Sequence, residues 1–133
     1  MSPAVRAESL GNYELLVEGR YDFHTWLWAT SACGGSLESP QGCMHVIGIP
    51  RPIAKAFSYQ GDAWLTNGHF TLTVDVPDGL RCGDVYYGPV IPTHDIYVWD
   101  ATTLAGTLQS SFDTGCDGGP GGTLTYPFTL TRF

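Results

Sequence analysis

Residues Asp62–Asp75 read DAWLTNGHFTLTVD, and the Asn67-Gly68 dipeptide at their centre decides the fold class. Both central residues of a type I′ turn need positive φ, which Asn-Gly supplies, and each flanking arm alternates apolar with polar residues. Counting outward from the turn sets the register. Leu65 opposes Phe70 and Ala63 opposes Leu72 on one face, while Trp64 opposes Thr71 and Thr66 opposes His69 on the other.

The same period of two recurs along the chain. In TLTYPFTLTRF, Leu124, Tyr126, Phe128 and Leu130 share one face, and Thr123, Thr125, Thr129 and Thr131 share the other. Pro127 falls among the threonines and cannot donate to a ladder, so that strand is expected to lie at an edge or to carry a bulge. In TLAGTLQSSFD, Leu104, Leu108 and Phe112 alternate with Thr103, Thr107, Gln109 and Ser111. Further strands are expected at about 11–18, with Tyr13, Leu15 and Val17 inward, and at about 25–30, 43–49, 54–59, 85–90 and 94–100. Eight or nine short antiparallel strands joined by turns make a single all-β domain, a β-barrel or a β-sandwich. It is expected to span 11–133, with residues 1–10 as a flexible leader.

The chain of 133 residues can bury roughly two thirds of its unfolded surface and so fold alone. Its 17 Gly and 9 Pro favour turns over long helices. A formal charge of −7 leaves too few cations to neutralise a row of phosphates, which argues against nucleic acid as a partner. No apolar run approaches the roughly 20 residues of a membrane-spanning helix. The opening MSPAVRAESLGNYEL lacks the apolar core of a signal peptide, as expected of a mature chain whose export signal has been removed.

Cys33, Cys43, Cys82 and Cys116 allow three pairings. No C-x-x-C occurs, which disfavours a zinc knuckle or a thioredoxin-like centre. Cys33 and Cys43 bracket GGSLESPQG, a strand-to-strand connection whose ends are already near one another. Cys82 lies in PDGLRCGD and Cys116 in TGCDGGPGG, so their bond would tie two distant loops. Disulfides Cys33–Cys43 and Cys82–Cys116 are therefore expected, each contributing on the order of 3 to 4 kcal/mol. Such bonds persist in oxidising surroundings, which implies an extracytoplasmic protein, secreted or held in the cell envelope. An immunoglobulin sandwich does not fit: Cys82 and Cys116 are too close in sequence, and Thr114 stands where the corner tyrosine would be.

Several marks together resemble a family of small exported proteins and lipoproteins of mycobacteria and their relatives, some similar to domains on the outside of receptor kinases. These are Gly11-x-Tyr13; Trp28-Ala29-Thr30-Ser31-Ala32-Cys33 followed by Gly42-Cys43; the hairpin from Trp64 to Phe70; Cys82; Trp99-Asp100 with Gly106-Thr107; and Cys116 ahead of a glycine loop and Tyr126-Pro127-Phe128-Thr129-Leu130-Thr131-Arg132. The resemblance implies export and a small disulfide-bonded β fold. It brings no catalytic residue with it, since function in that group is largely unassigned.

Signs of catalysis are sparse. There is no G-x-S-x-G, and His24, His45, His69 and His94 fall singly rather than at H-x-x-x-H spacing. His94-Asp95 is the most suggestive pair, and Asp100 beside Trp99 the best single carboxylate, with turn capping as its alternative role. Asp113 to Gly118 lacks the alternating oxygen ligands of a calcium loop, so neither metal nor cofactor is expected.

The aromatic residues Trp26, Trp28, Trp64, Tyr97 and Trp99 are the candidate ligand-binding residues. They either fill the interior or line a cavity or patch. Trp64 favours a patch, because its cross-strand neighbours are Thr71 and His69. The first functional expectation is a non-catalytic binding module for an envelope protein or glycan. A lipocalin-like carrier of a small apolar ligand and a hydrolase assembled from dispersed Asp and His residues are the alternatives.

Overall fold

The computed structural model describes residues 11–19, 25–33, 42–50, 58–82 and 89–132. The expected leader, His24, and most of the expected strands at 54–59 and 85–90 lie outside the described residues. Eight strands run in chain order: β1 (Gly11–Val17), β2 (Thr25–Ala32), β3 (Cys43–Pro50), β4 (Tyr59–Thr66), β5 (His69–Arg81), β6 (Val90–Asp100), β7 (Ala105–Thr114) and β8 (Pro120–Arg132). Each pairs antiparallel with the next, and β8 returns to β1 through pairs such as Leu15–Leu130. The fold is a closed up-and-down barrel, which removes the free edges that a sandwich would leave.

The hairpin between β4 and β5 has the register expected from its sequence. Leu65 pairs with Phe70, Ala63 with Leu72, Trp64 with Thr71 and Thr66 with His69. Asn67 at φ 51° and Gly68 at φ 79° supply the two left-handed residues.

Alternation then sorts every strand into an inner and an outer face. Leu15, Trp28, Leu72, Tyr97, Leu108 and Phe128 point inward and are fully buried, while Leu16 and Trp64 point outward. Gly48 pairs with Tyr59 on the inner face, and a Cβ there would stand 2.5 Å from the tyrosine ring. Glycine at this position leaves the space the ring occupies.

Both expected disulfides are present, and they close opposite ends of the barrel. Cys33–Cys43 joins the end of β2 to the start of β3, across a separation of 10 residues. Cys82–Cys116 joins the chain just after β5 to the turn between β7 and β8, 34 residues apart.

Pro127 is accommodated in a way that the strand pattern alone did not suggest. The barrel has no edge along its paired length, but β8 outruns β1, whose last partner in the ladder is Val17 opposite Phe128. The Glu18 N–H donates to the Pro127 carbonyl at 2.9 Å, so the main chain of Pro127 faces β1 at the point where that ladder ends. Its missing N–H therefore leaves no hydrogen bond broken within the ladder.

Candidate functional site

Four of the five aromatic residues expected to bind a ligand, Trp26, Trp28, Tyr97 and Trp99, are buried inside the barrel. Trp28 is the hub. Its ring centroid lies 5.2 Å from that of Tyr97 and 5.1 Å from that of Trp99, both edge-on, the arrangement favoured by ring quadrupoles. Its Nε1–H donates to the Tyr59 hydroxyl at 2.7 Å, and Tyr59 donates in turn to the Tyr97 hydroxyl at 3.2 Å. Burial, and then the neighbouring Tyr97, hold the Tyr59 pKa well above its ordinary value, so the hydroxyl stays a neutral donor.

These rings leave little room within. A cavity of about 120 Å³ opens at the Cys33–Cys43 end, lined by residues including Trp28, Phe70, Trp99 and Arg132. Typical ligand pockets start at roughly 300 Å³. Trp64, the fifth aromatic, is 48% exposed on the outer face.

The three described histidines share an arrangement that no short-range motif announces: each stands directly across a ladder from an aspartate on the outer face. His45 pairs with Asp62, with Nδ1 2.8 Å from the carboxylate, and its other nitrogen meets Gln60 at 3.0 Å. His69 faces Asp100 at 3.9 Å. His94 faces Asp75, Nδ1 to Oδ1 2.7 Å.

The sequence-adjacent pair His94-Asp95 is divided between the two faces, as the strand period requires. Asp95 points inward, is 1% exposed, and accepts a 2.6 Å hydrogen bond from the Ser110 hydroxyl. Asp100 caps the turn after β6: its Oδ1 accepts the N–H groups of Thr102 and Thr103 at 2.7 and 2.8 Å. The bond from Thr103, and then that from Thr102, lower its pKa. The sulfurs of Cys33 and Cys43 lie near the Asp62 carboxylate, but they are bonded to one another and offer no thiolate to a metal.

A second and wider opening begins at a proline. On the β5 side of β6, Ala101 N–H donates to the Gly68 carbonyl; on the β7 side, the Asp100 carbonyl accepts from Leu104 N–H. Strand alternation then turns the main-chain groups of Val98, Ile96 and His94 toward β7, and Pro92 is next in that series. It has no N–H to give, and the β6–β7 ladder stops at His94–Ser111.

Beyond that pair the two strands form the banks of a groove of about 540 Å³, within the usual range for ligand sites. Ile91, Pro92 and Thr93 line one bank and Phe112, Asp113 and Thr114 the other, with Asp75, Val76 and Pro77 of β5 alongside. The Thr93 side chain is 4% exposed, and its Oγ1 has no hydrogen-bond partner. A buried hydroxyl left in this way is unfavourable by about 1–3 kcal/mol until something meets it.

Asp75, His94 and Ser111 also line the groove and stand in one row across β5, β6 and β7. That order resembles a nucleophile, base and orienting acid, but the details oppose such chemistry. The Ser111 hydroxyl is engaged by Thr123 at 3.1 Å, and no hydrogen bond joins it to His94. The Asp75 side chain is 87% exposed, where water screens the support a carboxylate can give an imidazolium. The row is suited to hydrogen bonding rather than to activating a nucleophile.

Of the groove residues the sequence singles out only His94, and that for its neighbour Asp95 rather than for the groove. Pro92 was the available signal: a proline within a strand marks the place where a ladder must end. The chain matches no protein-family model, no curated protein and no solved structure.

Proposed function

We propose that the protein is an extracytoplasmic binding module without catalysis, and that its ligand occupies the groove between the parted ends of β6 and β7. The observation that carries this reading is the contrast between the two ends of the barrel. The interior and the Cys33–Cys43 end are packed with rings, whereas the opposite end holds a groove of about 540 Å³ beside an unpartnered buried hydroxyl.

Two disulfides support an oxidising location. Among the described residues no helix is long and apolar enough to cross a membrane. The outward positions of the strands mix polar residues such as Glu14, His45, Asp62, Thr71, Asp75 and His94 with apolar ones such as Leu16, Ile47, Trp64 and Val98. The resemblance to exported mycobacterial proteins agrees with this location. The filled interior speaks against a lipocalin-like carrier, and the Ser111–Thr123 bond against a hydrolase.

The test is a titration of the isotopically labelled protein, followed by amide chemical shifts, with envelope peptides, glycan fragments and fatty acids in turn. Saturable shifts centred on residues 91–94 and 111–114 are expected. Shifts centred on Trp28 and Trp99, accompanied by fluorescence quenching with a fatty acid, would replace this reading with a carrier.

A further inference from the structure

We propose that the groove receives an extended, positively charged peptide segment of a partner protein, which adds as a short strand along the freed edge of β7. This inference rests on the groove being the binding site and adds the class of ligand.

The first argument is the main chain. The Leu104 carbonyl accepts from Leu130 N–H, so the even-numbered residues of β7 turn their main-chain groups toward β8 and the odd-numbered ones toward β6. Ser111 is the last whose pairing with β6 is complete. Asp113 is next, about 7 Å further along the strand. By the same alternation its N–H belongs on the groove side, opposite Pro92, which has a carbonyl to offer and no donor; its own carbonyl leans toward β8, where a Cβ at Gly121 would stand 2.5 Å from the oxygen. A main-chain donor on β7 and the Pro92 carbonyl across from it give an extended peptide a partner on each bank, the contacts by which a strand augments a sheet.

The second argument is charge. The lining includes the carboxylates of Asp75 and Asp113 and, among the described residues, neither lysine nor arginine, in a chain of net charge −7. A cationic side chain alternating along the added strand would meet these carboxylates, while the side chains between them turn toward Val76, Ile91 and Phe112. Thr93 also lines the groove, and its buried Oγ1 has no hydrogen-bond partner.

A glycan suits the groove less well, because sugar rings stack on an open aromatic face. Among the described lining residues Phe112 is the one phenylalanine, tyrosine or tryptophan, and its edge is held against β8: a Cβ at Gly122 would stand 3.4 Å from the Phe112 Cζ.

The test uses the whole disulfide-bonded protein and four probes: a blocked alternating lysine–valine heptapeptide, its glutamate–valine counterpart, the lysine peptide N-methylated at alternate residues, and chitotriose. Affinity is measured by calorimetry and location by amide shifts. The lysine peptide is expected to bind one to one, to shift Thr93, His94, Phe112 and Asp113, and to slow exchange of the Asp113 amide. The glutamate and N-methylated peptides are expected to bind at least about tenfold more weakly, and the double variant Asp75→Asn/Asp113→Asn to reduce both affinity and its salt dependence.

Equal binding of all three peptides, or lysine-peptide shifts scattered over the surface, would overturn the peptide proposal. Chitotriose binding at the groove in place of the lysine peptide would overturn it while leaving the groove as the site. If every probe that binds did so away from residues 91–94 and 111–114, the groove would fall as well.

Discussion

The indole N–H of Trp28 donates to the hydroxyl of Tyr59 at 2.7 Å in the middle of the barrel, across 31 residues of sequence. Two of the largest interior side chains are thus tied by a polar bond inside an apolar core. Tyr59→Phe removes the acceptor and keeps the ring, so the Trp28 N–H is left buried and unpaired. A loss of about 1–3 kcal/mol is expected in denaturant unfolding, with the slope against denaturant unchanged. A loss indistinguishable from zero would mean that another acceptor reaches Trp28.

The same tyrosine sets a steric demand on its neighbour. Gly48 lies directly across the ladder, and a Cβ there would come within 2.5–2.9 Å of three Tyr59 ring atoms. Since the ring is packed against Trp26 at 4.7 Å and Tyr97 at 5.9 Å between centroids, it has little freedom to retreat. Gly48→Ala is therefore expected to destabilise by about 1–3 kcal/mol through overpacking. Combining it with Tyr59→Leu should recover part of that loss relative to the sum of the single changes, because the flat ring is the group in the way. Strict additivity in that double-mutant cycle would count against the clash.

These packing relations mark the limit of what the chain disclosed in advance. The register of β4 and β5 was legible because Asn67-Gly68 fixes the turn and a period of two fixes everything after it. The disulfides were legible because each cysteine lies in or beside a turn-rich segment. His45–Asp62 and His94–Asp75 were not, since each pair depends on which strands lie side by side and at what offset. His94-Asp95 drew attention by adjacency, which in a strand separates two side chains rather than joining them. The groove depends on Pro92 falling on the parity that faces β7, and that neighbour is known only once the strand order is.

Trp64 and Phe128 carry opposite expectations despite their similar size. Trp64 is 48% exposed on the outer face, whereas Phe128 is 1% exposed and lies within 5.6 Å of the Tyr97 ring centroid. Phe128→Ala is expected to lose about 3–5 kcal/mol, as a buried aromatic does, and Trp64→Ala distinctly less. Thermal unfolding of both variants decides this. Comparable losses would mean that Trp64 is covered in solution and belongs to the core.

Asp100 ties the acid limb of stability to the turn after β6. Its carboxylate accepts the N–H groups of Thr103 and Thr102, and these bonds lower its pKa in the folded chain. The unfolded chain, with an ordinary aspartate near 3.9, therefore takes up the proton first as pH falls. The contribution is complete above that unfolded value and is lost as pH drops through the lower folded one. Asp100→Asn keeps an oxygen that can accept from the turn but has no proton to take up at this site. Its unfolding midpoint is expected to fall less than that of the parent chain from about pH 5 downward. Parallel acid limbs for the two chains would show that Asp100 protonates alike folded and unfolded, and that the turn draws nothing from its charge.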